Sequence, residues 1–157
     1  MVPQNFKDAV YVIVQLIIFL IYVFWEQQLF SFELPVWASY ICWLALVFAT
    51  GLFLLAAWNI RHALSPYPSP KSHAILQTSG AFAFSRHPIY SSLIIGLLAW
   101  GILQENGNQL IMSMILLLFF YVKASYEEKL LINMFSEYPD YQKQRGMLFP
   151  KLNTLKL

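Results

Sequence analysis

Charge is what this chain has least of. Asp, Glu, Lys and Arg make up 11% of its 157 residues, against roughly 25% in an ordinary soluble domain, while 59% are hydrophobic. So little charge excludes a surface kept in water by its own side chains, and the chain reads as a membrane protein. Cysteine is almost missing: Cys42 is alone, in an apolar run, so no internal disulfide and no thiolate metal cluster can be built, and it reads as a small core residue. The net charge of +2 is too small to draw nucleic acid. Repeats and low-complexity tracts are also lacking. No small-residue cleavage site follows the first apolar run, so that run is expected to stay as a span rather than leave as a signal peptide.

Apolar length is what the chain does have. Four runs, about 9–25, 37–60, 89–103 and 109–122, approach the ~20 helical residues needed to cross a hydrocarbon core. The last two are short, but each can gain a turn from its flank, and "QENGN" between them suits a tight helical hairpin. The expected fold is an all-α integral-membrane domain over 1–157 with about four transmembrane helices.

The basic residues decide its expected orientation. All ten lie before the first run, between the second and third, or after the fourth, whereas "EQQLFSFELPV" and "QENGN" hold only Glu26, Glu33 and Glu105. Since positive charge is retained in the cytoplasm, both termini are expected there. Segments 71–92 and 123–150 then meet at one cytoplasmic face. The first follows "SPYPSPKS", whose Pro66, Pro68 and Pro70 favour an extended path. The second should continue the fourth helix through "KASYEEKLLINMF" until Pro139 stops it.

Within these segments, Pro88 fits the first position of a helix, with His87 as its cap and backbone N–H groups aimed outward. Arg86 beside that end could help hold a carboxylate or phosphate, or could simply anchor the helix at the interface. Glu127 and Glu128 are adjacent acids that point about 100° apart on a helix, so they cannot play the same part. His62, His73 and His87 share one loop, but their spacing fits no usual ligand pattern and no metal is expected. Ser85, Ser91 and Ser92 lack the G-x-S-x-G setting of a nucleophile.

Together, "TSGAFAFSRHPIYSSL" (78–93) and "EEKLLINMFSEYPDYQKQRGMLFP" (127–150) resemble the isoprenylcysteine carboxyl methyltransferase family, whose wider group includes phospholipid methyltransferases. The resemblance covers about 76–150 and rests on the order of a glycine turn, R-H-P-x-Y, a hairpin and an E-E pair. It implies methyl transfer from S-adenosyl-L-methionine, bound under the cytoplasmic segments, to a lipid-bearing acceptor arriving from the bilayer. By carry-over, Leu76, Gln77, Phe82, His87, Pro88, Ile89, Tyr90 and Glu127 would bind the cofactor, and Arg86 and Glu128 would be catalytic. Lys123 stands where relatives carry an arginine for the substrate carboxylate. It keeps the charge without the two-pronged geometry, or it is an interfacial lysine reaching for water. Ser136, Ala81 and Ser85 also depart from the pattern. A short N-terminus favours a prokaryotic version, in the inner membrane.

The expected acceptor is an isoprenylcysteine carboxylate, which needs no base because it is already ionised. A phospholipid amine or small thiol would have to lose a proton, with Glu127, Glu128 or His87 as candidate bases. A non-catalytic scaffold binding anionic lipid is the reading from another class, and a sterol-reductase-like protein would need a longer chain.

Overall fold

A computed structural model describes residues 6–25, 29–61, 65–69 and 75–151. It is helical throughout: α1 Phe6–Phe24, α2 Val36–Asn59, a 3-10 turn Gly80–Ala83, α3 Pro88–Leu103, α4 Gly107–Met134 and α5 Tyr138–Gln144. Among the described residues the β-type pairing is a single bridge, Ser31 with Asn106.

Three helices, α1, α2 and α4, are long and apolar enough to cross a membrane. Helix α3 has 16 residues, about 24 Å at 1.5 Å per residue, which is less than a hydrocarbon core of about 30 Å. It therefore gains little from its flanks. Pro88 fixes its start, and Glu105, at a φ of 51°, turns the chain out of helix just past its end. The hairpin is as tight as its sequence suggests. Asn106 caps α4, its side-chain oxygen accepting from Asn108 N at 3.0 Å and Gln109 N at 3.3 Å. A β-carbon on Gly107 would strike the Phe30 ring, so that corner requires glycine.

Between lipid-immersed helices there is no hydrophobic drive, so close packing and interhelical hydrogen bonds hold the bundle. Small residues form the α2–α3 seam: Ala49 and Ala56 are buried, and a β-carbon at Gly96 would sit 3.5 Å from that of Ala49. On the other side Ile94, Met112, Leu116 and Phe120 pack with Ile18 and Tyr22 of α1. The Tyr22 hydroxyl donates to the Leu97 carbonyl at 2.7 Å, tying α1 to α3. Leu16, Leu20, Leu44, Val47 and Leu118 face outward, as a lipid solvent requires.

Helix α4 has 28 residues, about 42 Å, so its last turns lie beyond what a span needs. Its end corrects one expectation. Proline at 139 does not stop it: α4 ends at Met134, and Pro139 lies in the first turn of α5, where its missing N–H costs no hydrogen bond. Helix α5 folds back over the cytoplasm-assigned end of the bundle, and Leu148 beyond it enters the core.

Asn106→Ala removes the α4 cap and is expected to lower stability by about 1 kcal/mol. Thermal unfolding in detergent measures this, and Asn106→Asp, which keeps an acceptor, should lose much less.

Candidate active site

The chain before α3 is pinned from behind. Arg86 N donates to Gly146 O at 2.9 Å and His87 N to Met147 O at 3.0 Å, drawing the segment after α5 against the start of α3. The Arg86 side chain continues the clamp. Its Nε and Nη2 grip Glu128 at 2.6 and 3.1 Å, while Nη1 donates to the carbonyls of Gln142 and Arg145. Every nitrogen of the guanidinium thus has a protein partner, and Arg86 also borders both cavities of this site.

Glu128 is used as fully. It also accepts from Gln142 Nε2 at 2.7 Å and faces His87 Nε2 at 3.3 Å. On the next position of α4, Glu127 faces the other ring nitrogen, Nδ1, at 3.4 Å, and accepts from the Tyr90 hydroxyl at 3.0 Å. A neutral imidazole could offer an N–H to only one of these carboxylates and would turn a lone pair on the other. Burial by itself would lower the His87 pKa, but the two carboxylates outweigh it and raise the pKa above 6.5. Tyr141 ties α5 to the glycine turn by donating to Phe82 O at 2.6 Å, and burial pushes its phenol up to about 12.

Around this chain of charges lie two joined cavities. The larger, of about 480 Å³, combines polar walls at His87, Glu127 and Lys123 with apolar ones at Phe19, Phe53 and Leu93. The smaller, of about 140 Å³, shares Phe82, His87 and Glu127 with it and runs on to Leu76, Gln77 and Tyr138. Pro88, Ile89 and Tyr90 line the larger one. Every residue expected to hold the cofactor therefore borders one cavity or the other. Glu128 lines neither cavity; its carboxylate is turned to Arg86 and His87.

Glycine 80, in the expected turn, has a φ of 64° and lies so close to the Asn59 side chain that a β-carbon would collide with it. Asn59 Oδ1 accepts from Ala81 N at 2.9 Å, which hangs the turn, and with it Phe82, from the end of α2. Lys123 does not snorkel. It is 1% exposed and turns inward, Nζ donating to Gln15 Oε1 at 2.7 Å and to Pro66 O at 3.1 Å. His62, His73 and Pro70 lie outside the described residues. Ser85 and Ser91 pair at 2.8 Å, and Ser91 donates to Leu148 O, so both serve packing.

Several residues of the site were not anticipated. Gln15 carried a signal, as a polar side chain inside an apolar run. Gln142 and Tyr138 carried none, since only the return of α5 brings them in. Tyr138 is 1% exposed and its hydroxyl has no partner in hydrogen-bonding geometry, while burial and then the nearby Glu128 push its pKa up. Such a donor at a cavity wall suits a ligand acceptor.

Fold and site together define an integral-membrane helical protein with a charged, cofactor-sized cavity where one end of the bundle meets a returning tail. Residues 37–138 match the family described as phospholipid methyltransferase, and the chain belongs to that family. It is 26% identical over 167 residues to a methanethiol S-methyltransferase of Pseudomonas deceptionensis, covering 96% of this chain and 62% of the relative. A second methanethiol S-methyltransferase, from another Pseudomonas, is 27% identical over 173 residues, covering 99% and 64%. The cobalt-zinc-cadmium resistance protein CzcN of Cupriavidus metallidurans is 26% identical over 91 residues, covering 57% and 42%. The chain thus spans less than two thirds of the length of these relatives.

Removing one partner of the buried Arg86–Glu128 pair should be severe. Glu128→Ala is expected to cost on the order of 3 kcal/mol, read as a loss of thermal stability in detergent. The pH dependence has a definite sign. With a folded pKa raised above 6.5, His87 contributes stability that is fully present below 6.5 and is lost as pH rises through its folded value. Melting temperature should therefore fall on the alkaline side of 6.5, and His87→Gln should flatten that slope.

Proposed function

We propose that this chain is an S-adenosyl-L-methionine-dependent membrane methyltransferase whose acceptor is a small thiol taken as its thiolate. The observation that carries this reading is the buried Lys123 ammonium in the wall of a cavity that also holds the Glu127 carboxylate and the His87 ring. Opposite charges are thus presented to the two reactants. Glu127 would accept from the cofactor's ribose hydroxyls, Phe82 and Tyr90 would pack against its apolar parts, and Leu76 and Gln77 would border the adenine end. Tyr138 in the wall of the smaller cavity supports that fit. When bound, this cofactor supplies a methyl carbon on a sulfonium sulfur, and transfer to a thiolate breaks that bond, leaves its electron pair on the sulfur and yields two neutral thioethers.

The chain's own contribution is to bring those charges together away from water. Bulk water stabilises separated ions and so opposes a reaction that neutralises both; fixed dipoles in a closed cavity oppose it less. Alignment adds the entropic part of the rate. Lys123 stabilises the thiolate, so the thiol proton leaves to water, and Glu127 remains a cofactor ligand and not a base. A thiol is favoured over an amine because a cation at Lys123 repels an ammonium, and the methanethiol S-methyltransferase relatives agree with it.

A carboxylate acceptor of the isoprenylcysteine type is the second reading. The Phe19, Phe53 and Leu93 walls favour it, since they would suit a prenyl chain. The distribution of basic residues supports a cytoplasmic active site, and the bacterial relatives support residence in a prokaryotic inner membrane.

Calorimetric titration of detergent-purified protein with S-adenosylhomocysteine tests the cofactor. Binding is expected, weakened on the order of tenfold or more by Glu127→Gln, the worth of a charge-assisted hydrogen bond. Labelled S-adenosylmethionine with methanethiol, a prenylcysteine and an aminophospholipid then separates the acceptors. Label in the methyl thioether is the expected result; no transfer to any of the three defeats the proposal.

A further inference from the structure

We propose that Gln15 on α1 is a positioning residue that holds Lys123 without a carboxylate bonded to it and so makes the cavity selective for an anionic acceptor. This rests on the reading of Lys123 as the acceptor's partner and extends it to a helix outside the family-matched residues 37–138.

A buried ammonium is normally paired with a carboxylate, because a lone charge out of water is costly. Lys123 is 1% exposed, yet both of its hydrogen bonds go to neutral oxygens, Gln15 Oε1 at 2.7 Å and Pro66 O at 3.1 Å. Its third neighbour is also neutral, the Tyr90 ring, whose centroid lies 5.3 Å away. Among the described residues, no carboxylate forms a salt bridge with it. The acids that act on it, Glu127 of α4 and Asp8 of α1, do so through space, and Glu127 is already bound by Tyr90 and His87. An ammonium has three N–H donors, and among the described residues protein acceptors take two. Lys123, Gln15, Pro66 and Tyr90 all line the larger cavity, where an acceptor anion can take the third.

The choice of residue at position 15 is informative. Leucine would suit an apolar run better, but it would leave Nζ held only by Pro66. Glutamate would hold it equally well but would cancel its charge. Glutamine alone of the three fixes the ammonium and leaves its field available. The amide itself is expensive inside a membrane helix, and Lys123 is the partner that offsets that cost.

The test uses the full chain in detergent, as wild type, Gln15→Glu, Gln15→Leu and Lys123→Met. S-adenosylhomocysteine affinity is measured by calorimetry, and methyl transfer is followed with methanethiol and with an aminophospholipid. Gln15→Glu and Gln15→Leu should raise KM for methanethiol by about tenfold or more, with cofactor affinity within about twofold of wild type. Gln15→Glu should also shift the ratio of amine to thiol transfer towards the amine by about tenfold, a change that a purely structural role would not produce. If Gln15→Leu fails to fold, the isosteric Gln15→Glu carries the test alone. The proposal is overturned if both variants keep KM for methanethiol and the acceptor ratio within about twofold while Lys123→Met loses thiol transfer, for Lys123 then acts without Gln15. A wild type that neither binds S-adenosylhomocysteine nor transfers methyl is a different failure, that of the proposed function itself.

Discussion

Four ionisable side chains in a row, Arg86, Glu128, His87 and Glu127, tie the start of α3 to α4 and the returning tail. Each carboxylate is shared: Glu128 between the arginine and one ring nitrogen of His87, Glu127 between the other ring nitrogen and the Tyr90 hydroxyl. Arg86 extends the row to the carbonyls of Gln142 and Arg145, and the backbone of Arg86 and His87 takes the next two residues of the tail, Gly146 and Met147. Helices α3, α4 and α5 meet nowhere else through so many polar contacts. Without the row the tail would be docked by Leu148, the Tyr141–Phe82 bond and the hydrogen bonds of residues 146–148, and the cavity would lose a wall.

That arrangement depends on where the bilayer ends. In lipid a run of buried ions would find few partners, so the apolar part of the bundle is held by small residues and packed side chains, and the charges collect where α4 outruns the membrane. Adjacent glutamates then divide the work by geometry. A rotation of about 100° between neighbours turns Glu128 into the protein and Glu127 towards the cavity. One turn earlier on the same face, Lys123 enters the cavity from the membrane side, where its charge meets apolar walls and a partner from α1. Lys123 and Glu127, one turn apart on α4, thus present opposite charges to one cavity, with the His87 ring of the α3 start beside them.

Much of this was legible before any coordinates. The apolar runs marked the helices to within a few residues at most starts, because about 20 apolar positions in a row have few other fates. Asn106 and Gly107 announced the hairpin, and Pro88 announced the start of α3, because each answers a backbone requirement that is local. Pro139 misled for the same reason: a proline forbids helix on one side only, and the sequence does not say on which side the helix lies. Arg86 could be read as holding an anion or as an interfacial anchor, and Lys123 as a substrate partner or as reaching for water, since a charge in a sequence shows nothing of its partner.

What the chain's order of residues determined alone was therefore its class: a lipid-immersed bundle, its breaks, and a motif at one end typical of membrane methyltransferases. Tertiary structure decided which of two neighbouring glutamates borders a cavity, that Arg86 grips Glu128, and that Gln15 and Lys123, 108 positions apart, share a hydrogen bond. The reason is one of range. Helix starts, caps and spans answer to interactions within a turn or two and to the solvent around them, whereas a buried charge takes its role from whatever the fold places within about 3 Å of it.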